Sequence, residues 1–242
     1  MHLLIPAAGM GKRMGSNKNK LLLEVQSKTL LSWTLLAANG ASTISWIGII
    51  SQSDDRGYFE EIISEQQLTK SMQFIPGGST RQESVYNGLQ GLPRDARKVL
   101  IHDGARCLAT PDLFERCAVA MEDCSGLIAA VPVKDTIKVI NQSGIVQSTP
   151  KRDNLWAAQT PQGFDVMLLK QCHEKGMSKG WEVTDDAALF EKSGLEVHVV
   201  EGEETNLKVT TPQDLAIAES ILTSRLGNRG ENQIYNENSI NS

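Results

Sequence analysis

Short apolar runs recur along this chain, and between most of them lie longer stretches whose apolar residues repeat at helical spacing. Leu3-Leu4-Ile5 opens the series as a continuous apolar run, the pattern of a strand buried on both faces. The pattern then predicts a helix over 27–38 closed by Gly40, a strand over 44–51, a helix over 54–67 and a strand over 72–75 that ends in Gly77-Gly78. Thr80-Arg81-Gln82-Glu83 has capping-box spacing and starts a helix to about Leu92. A strand over 98–102 runs into Asp103-Gly104. Thr110-Pro111-Asp112 places proline at a first helical position, and 127–131 reads as another strand. Strand and helix in strict alternation predict an α/β fold: a doubly wound, mostly parallel, Rossmann-like sheet with helices on both faces.

The rhythm breaks once. Apolar runs at 136–140 and 145–146 flank Asn141-Gln142-Ser143-Gly144, the signature of a β-hairpin with a four-residue turn. In an α/β pattern such a hairpin is an insertion, an arm over about 134–155. A lone two-stranded hairpin is marginal in water, so a second subunit is a candidate for what it packs against. Afterwards the pattern resumes with a strand near 155–159, a helix from Asp165, a helix capped by Thr184 with Asp185 and Asp186 in its first turn, strands over 195–200 and 207–209, and a last helix from Pro212 to about Leu226. One domain over 1–226 is expected. The polar stretch 227–242 has little to bury and is expected to be a disordered tail.

Composition narrows the partners. With 242 residues, 40% hydrophobic and 22% charged, the chain has ordinary globular proportions. A net charge of −5 argues against a general nucleic-acid binder. Cys107, Cys117, Cys124 and Cys172 form no Cys-x-x-Cys pair, which points to core packing rather than zinc or redox chemistry. No leader-like segment and no long apolar run stands out, so a cytoplasmic protein without a membrane partner is expected.

Ligands in a doubly wound sheet bind beyond the carboxyl ends of the strands, and the polar residues gather there. The first strand delivers Pro6-Ala7-Ala8-Gly9-Met10-Gly11-Lys12-Arg13-Met14, with Lys20 downstream. A P-loop would need Gly-Lys-Ser/Thr, and Gly11-Lys12 is followed by Arg13; a dinucleotide loop would need a third glycine where Met14 stands. What remains is a glycine loop with cationic side chains, suited to phosphoryl or nucleotidyl chemistry, although taken alone it fits a solvated surface turn equally well. Gly78, Ser84 and Arg81 follow the third strand, and His102-Asp103-Gly104-Ala105-Arg106 the fourth. Asp103 at a strand end is placed either to cap a turn or to hold magnesium, which prefers one or two carboxylates plus phosphate oxygens.

Eight motifs occur in one order: Pro6-Ala7-Ala8-Gly9-x-Gly11-x-Arg13-Met14, Lys20, Gly77-Gly78-x-x-Arg81-x-x-Ser84, His102-Asp103-Gly104-Ala105-Arg106, Pro132 to Lys138, Arg152-x-x-Leu155-Trp156-x-x-Gln159-Thr160-Pro161-Gln162, Thr184-Asp185-Asp186, and Asn206-x-Lys208-Val209-Thr210. Together, over about residues 2–222, they resemble the 2-C-methyl-D-erythritol 4-phosphate cytidylyltransferase family of non-mevalonate isoprenoid synthesis. The resemblance implies transfer of CMP from CTP to a sugar-alcohol phosphate with release of pyrophosphate. It implies Pro6, Ala7, Ala8, Gly9, Gly11, Gly78, Ser84, Asp103 and Gly104 as nucleotide contacts, and Arg13, Lys20, Arg152 and Lys208 as catalytic cations. Arg106, Thr136, Arg152, Thr160, Thr184, Asp185 and Lys208 would line the substrate pocket, and Asp103 would ligate Mg2+ or another divalent cation. A homodimer whose arms carry Thr136 and Arg152 into the neighbouring site is implied as well. Asn19, Leu21-Leu22 and Cys107 depart from the family pattern, where proline, Gln-aromatic and proline are usual. The alternatives are ribitol-5-phosphate cytidylyltransferase, a sister family, and a catalytically silent nucleotide-binding module, which would have no use for the cations.

Overall fold

The structure, a computed structural model, describes residues 1–9 and 19–238, with side chains described to Gly227. Gly11 and Arg13 therefore lie outside the described residues. Strand β1 (His2–Pro6) leads to a 3-10 turn at Lys20–Leu22, a small hairpin of β2 (Glu24–Val25) and β3 (Lys28–Thr29), and α1 (Leu30–Gly40). β4 (Trp46–Ser51), α2 (Arg56–Glu65), β5 (Ser71–Pro76), α3 (Arg81–Gln90), β6 (Lys98–Ile101), α4 (Pro111–Ala120) and β7 (Gly126–Pro132) follow. β8 (Val139–Ile140) and β9 (Val146–Ser148) pair apart from the main sheet, and β10 (Trp156–Asp165), α5 (Val166–Ser178), α6 (Ala187–Ser193), β11 (His198–Glu201) and α7 (Pro212–Asn238) complete the chain.

The seven-stranded sheet runs β11, β7, β10, β6, β1, β4, β5. β1 pairs in parallel with both β4 and β6, and β10 alone is antiparallel to its neighbours. Because the chain runs outward from β1 to β5 and returns to β6, the winding reverses between β1 and β6. A crevice opens there beyond the strand ends. Alternation along the central strands builds two cores. Leu3, Ile5, Ile47 and Leu100 pack with Leu31, Leu35, Phe59 and Phe114 from α1, α2 and α4, while Leu4, Ile50, Val99 and Ile101 pack with Val85, Leu89, Leu169 and Phe190 from α3, α5 and α6. This is the doubly wound arrangement that the apolar runs predict.

The helix starts are set by local chemistry. Thr110 Oγ1 accepts the Leu113 N–H (3.2 Å) with Pro111 at the first helical position, and Asp165 Oδ1 accepts the Leu168 N–H (3.0 Å). Thr80 Oγ1 accepts the Glu83 N–H (3.0 Å), but the Glu83 carboxylate accepts from the Ser79 N–H (2.7 Å) instead of closing a reciprocal box on Thr80.

Several expected boundaries move. The helix expected from residue 27 begins at Leu30, because Gln26 and Ser27 take positive φ (51° and 59°) to turn the β2–β3 hairpin. The helix expected to be capped by Thr184 starts at Ala187, and Asp185 Oδ1 caps it by accepting the Ala188 N–H (3.0 Å). Residues 207–209, expected as a strand, form no ladder among the described residues. Val209 donates a single bond to the Ala105 carbonyl (2.9 Å) and buries its side chain beside Leu108, Ala218 and Leu222. The last helix continues past Leu226 to Asn238, through a stretch expected to be disordered that holds no proline to stop it. Cys107, Cys117 and Cys172 are buried, Cys124 is partly buried, and all four are free thiols. Burial pushes the Cys107 and Cys117 thiols up to about 11 and about 12, so both are inert packing groups. Among the described residues no helix is long and apolar enough to cross a membrane.

Candidate active site

A cavity of about 480 Å³ fills the crevice at the ends of β1 and β6. Pro6, Ala7, Ala8 and Gly9 line it from β1, and Gly78 and Ser84 from the β5–α3 side. Asp103 and Gly104 enter from β6, and Lys20 and Lys208 reach it from loops far apart in the chain. Arg81 lines it too, on the first turn of α3. The volume falls within the usual range of about 300–1,000 Å³ for small-molecule sites.

The glycines shape the wall by close approach. A Cβ on Gly77 would stand 2.6 Å from the Ala8 Cβ, so the β5–α3 turn can lie against the Pro6–Gly9 loop only without one. Ser84 Oγ, buried, accepts the Gly78 N–H (2.9 Å), and Gln52 Nε2 donates to the Gly78 carbonyl (3.3 Å). Ser84 thus acts on the turn as well as facing the cavity.

Asp103 is the electrostatic centre. Its side chain is 12% exposed; Lys208 Nζ lies 2.8 Å from Oδ2, Arg106 Nε 3.8 Å from Oδ2 and Arg81 Nε 3.9 Å from Oδ1. Burial alone would raise its pKa, but the cations, Lys208 foremost, outweigh it and hold the carboxyl at about 2. Behind it His102 is fully buried, edge-on to Phe114, and burial lowers its pKa to about 4. Its tautomer follows from its partners. Arg106 O can only accept, so His102 Nε2 donates to it (3.3 Å). Nδ1 then accepts from the Thr160 hydroxyl (3.1 Å), whose oxygen accepts the Asp103 N–H (3.0 Å). A neutral imidazole therefore fixes the loop that presents Asp103.

Lys208 is held just as firmly. Arg106 Nη1 donates to the Asn206 carbonyl (2.7 Å), and Asn206 Nδ2 donates to the Thr160 carbonyl (2.8 Å) and to Gln159 Oε1 (3.1 Å). Lys20 Nζ donates to the Val209 carbonyl (3.0 Å), joining the two lysine loops. Asn19, 5% exposed, spends its whole side chain on this corner. Nδ2 donates to the Ala7 carbonyl (2.7 Å) and Asp55 Oδ2 (2.7 Å), and Oδ1 accepts the Leu21 N–H (3.0 Å). Asn19→Ala leaves these groups unpaired. It is expected to cost about 1–3 kcal/mol in denaturant unfolding and to weaken nucleotide affinity, since Ala7 and Lys20 lose their common anchor.

The structure thus brings together Pro6, Ala7, Ala8, Gly9, Lys20, Gly78, Ser84, Asp103, Gly104 and Lys208. Arg106 and Thr160 stand behind Asp103 and bond to its surroundings. Thr184 is exposed, and Asp185, besides capping α6, accepts from Gln162 Nε2 (2.8 Å). Thr136 and Arg152 lie on the exposed arm, outside the cavity of their own chain, with Arg152 Nη1 donating to the Lys134 carbonyl (2.9 Å). Sequence reasoning passed over the roles of Gln52, Arg81 and Asp186. Arg81 stood in a quoted motif, but its partners come from α6 and β6, and spacing carries no sign of them.

Asp103 suits a divalent cation whose other ligands are phosphate oxygens, because it is a carboxylate kept ionised in the wall of a cation-lined cavity. Among the described residues no group of three acidic, histidine or cysteine side chains could hold such an ion by itself.

Comparison with known proteins agrees with the geometry. A family model described as IspD, 2-C-methyl-D-erythritol 4-phosphate cytidylyltransferase, matches residues 1–224. A protein of that name from Nostoc punctiforme is 72% identical over 225 residues, covering 93% of this chain and 99% of its own. One from Synechocystis sp. is 63% identical over 225 residues, covering 93% and 98%. A solved 4-diphosphocytidyl-2C-methyl-D-erythritol synthase from Anaerococcus prevotii superposes with a TM-score of 0.82 at 32% identity, covering 92% of this chain and 97% of its own. The Thermus thermophilus cytidylyltransferase superposes at 0.72 and 33%, covering 91% and 97%.

Proposed function

This chain belongs to the 2-C-methyl-D-erythritol 4-phosphate cytidylyltransferase family, and on that premise we propose how its cavity carries the cytidylyl transfer of isoprenoid biosynthesis. CTP enters the crevice between β1 and β6. The backbone of Pro6, Ala7, Ala8 and Gly9, with Gly11, Gly78, Ser84 and Gly104, holds the base and ribose. The triphosphate lies toward Lys20, Lys208, Arg81 and, from the loop after Gly9, Arg13. Asp103 would hold Mg2+ or another divalent cation together with phosphate oxygens, and the ion supplies charge neutralisation on the triphosphate.

The acceptor phosphate attacks the α-phosphorus in line, and pyrophosphate leaves. No general base is required, because a phosphate monoester with a second pKa of about 6 is largely ionised at neutral pH. The cations offset repulsion between two anionic substrates and stabilise the charge that builds in the transition state. Arg106 and Thr160 serve the acceptor side by fixing Asp103 and Lys208; Thr184 and Asp185 stand at the start of α6 on the same reading. Thr136 and Arg152 act from the arm of a partner subunit. Val139, Ile140, Ile145 and Val146 on that arm are exposed, which supports a homodimer that covers them.

The observation that carries this reading is the convergence of Lys20, Lys208 and Arg81 on one cavity with an ionised Asp103 at a switch point of the sheet. The test is pyrophosphate release from CTP with methylerythritol phosphate, with ribitol phosphate, and with no acceptor. Release is expected with methylerythritol phosphate alone; release with ribitol phosphate alone, or without any acceptor, would overturn it. The acid limb of the kcat profile should follow the acceptor phosphate near about pH 6, since Asp103 at about 2 and His102 at about 4 do not titrate there.

A further inference from the structure

Arg81 is held from outside the cavity. Its Nη1 lies 2.9 Å from Asp186 Oδ2, and Asp186 Oδ1 lies 3.3 Å from His173 Nε2. The Asp186 and His173 side chains are 1% and 0% exposed, while Arg81 is 30% exposed and lines the cavity. Asp186 immediately precedes α6, and His173 sits on α5 with the Tyr86 ring 5.9 Å from its own. Burial would raise the Asp186 pKa, but Arg81 and then His173 outweigh it and keep the carboxyl low, so Asp186 presents a charge to the arginine.

The cavity side explains why this holder matters. Arg81 Nε stands 3.9 Å from Asp103 Oδ1, beyond a direct hydrogen bond, while Lys208 and Arg106 address Oδ2. An arginine released from Asp186 would find Asp103 as its nearest carboxylate, and a bidentate pair would close over Oδ1. That pair would remove a cation from the triphosphate and an oxygen from the ligand side of Asp103 together.

We propose that the buried Asp186–His173 pair positions Arg81, holding its guanidinium toward the nucleotide phosphates and off Asp103. The inference rests on the reading that this cavity takes CTP. Asp186 and His173 are positioning residues here, acting only through Arg81.

A double-mutant cycle tests it in the full-length chain, with CTP binding measured by calorimetry and kcat and both KM values by pyrophosphate release. Asp186→Asn keeps the volume and drops the charge. It is expected to weaken CTP binding about tenfold, with the KM for the acceptor phosphate unchanged. In an Arg81→Ala background the same substitution should add nothing. His173→Gln should move CTP binding in the same direction by a smaller factor, and it carries the test if Asp186→Asn does not fold. The proposal is overturned if the Asp186 and His173 variants bind CTP like the parent and differ only in melting temperature, or if Asp186→Asn weakens binding equally with and without Arg81. A parent chain that binds no CTP would instead remove the reading of the cavity itself.

Discussion

Lys20→Ala is expected to lower kcat by about 10²–10³-fold while the protein folds normally, the usual loss for one preorganised charge contact in a transition state. Two effects combine at this residue. Its ammonium contributes positive charge to the cavity in which the anionic acceptor is proposed to meet the anionic donor. Its bond to the Val209 carbonyl also ties the loop after β1 to the loop that carries Lys208 (3.0 Å). Removing Lys20 therefore removes one cation and loosens a second. The fold has no comparable stake, because the apolar cores lie on the two faces of the sheet, away from the ammonium. Single-turnover measurements at saturating CTP and acceptor should show the loss in the chemical step, with the melting temperature within a few degrees of the parent. A variant with near-parental turnover would end the assignment of Lys20 to transition-state charge.

Features written in consecutive residues were legible before the structure. The Leu3-Leu4-Ile5 run, the Gly77-Gly78 turn and the caps at Thr80, Thr110 and Asp165 are local, and strand alternation needs only neighbours to be read. The opening loop could be read as anion-binding because glycine spacing and adjacent cations are also local. The limits of that reading are equally physical. Residues 207–209 look like a strand because Leu207 and Val209 are both apolar at alternate positions. No strand among the described residues lies beside them to complete a ladder, however, and Asn206 pins the segment as a loop under Thr160. Partnerships across the sheet, such as Asp103 with Lys208 or Arg81 with Asp186, leave no trace in spacing, because pairing of distant charges depends on how the elements stack. His102 shows the same limit. As a histidine in a chemistry-bearing motif it invites an acid–base reading, yet complete burial and the two fixed hydrogen bonds of its ring make it a neutral brace for Asp103.

The depressed pKa of Asp103 links the site to stability. A carboxyl whose folded pKa of about 2 lies below its unfolded value of about 3.9 stabilises the fold above that unfolded value. The contribution is lost as pH falls through the folded pKa. Lys208 is the first of the cations that cause the depression. The site's cations therefore belong to one balance: Lys208 pairs directly with Asp103 while Arg81 acts on it from 3.9 Å, and the same two groups are the ones proposed to meet phosphate when the nucleotide arrives.

Mixing two crippled variants should restore activity that neither has. Arg152→Ala removes the arm's arginine, and Lys208→Ala removes the cavity's lysine; each alone is expected to lose about 10² or more in kcat. Arg152 is exposed at the base of the hairpin, and among the described residues its side chain hydrogen-bonds to the Lys134 carbonyl and does not line its own chain's cavity. If the arm serves a partner subunit, a mixed dimer has one cavity with both defects and one with neither. Random pairing makes half the dimers mixed, so about a quarter of the parental sites return. Subunits must be exchanged by co-expression or by refolding together, and the activity of the mixture compared with the sum of the separate variants. Recovery near a quarter requires both that the chain dimerises and that Arg152 crosses between subunits. A mixture no more active than its parts would place Arg152 in the service of its own chain, and the hydrophobic arm would then need another explanation for the exposure of Ile140 and Ile145 (58% and 65%).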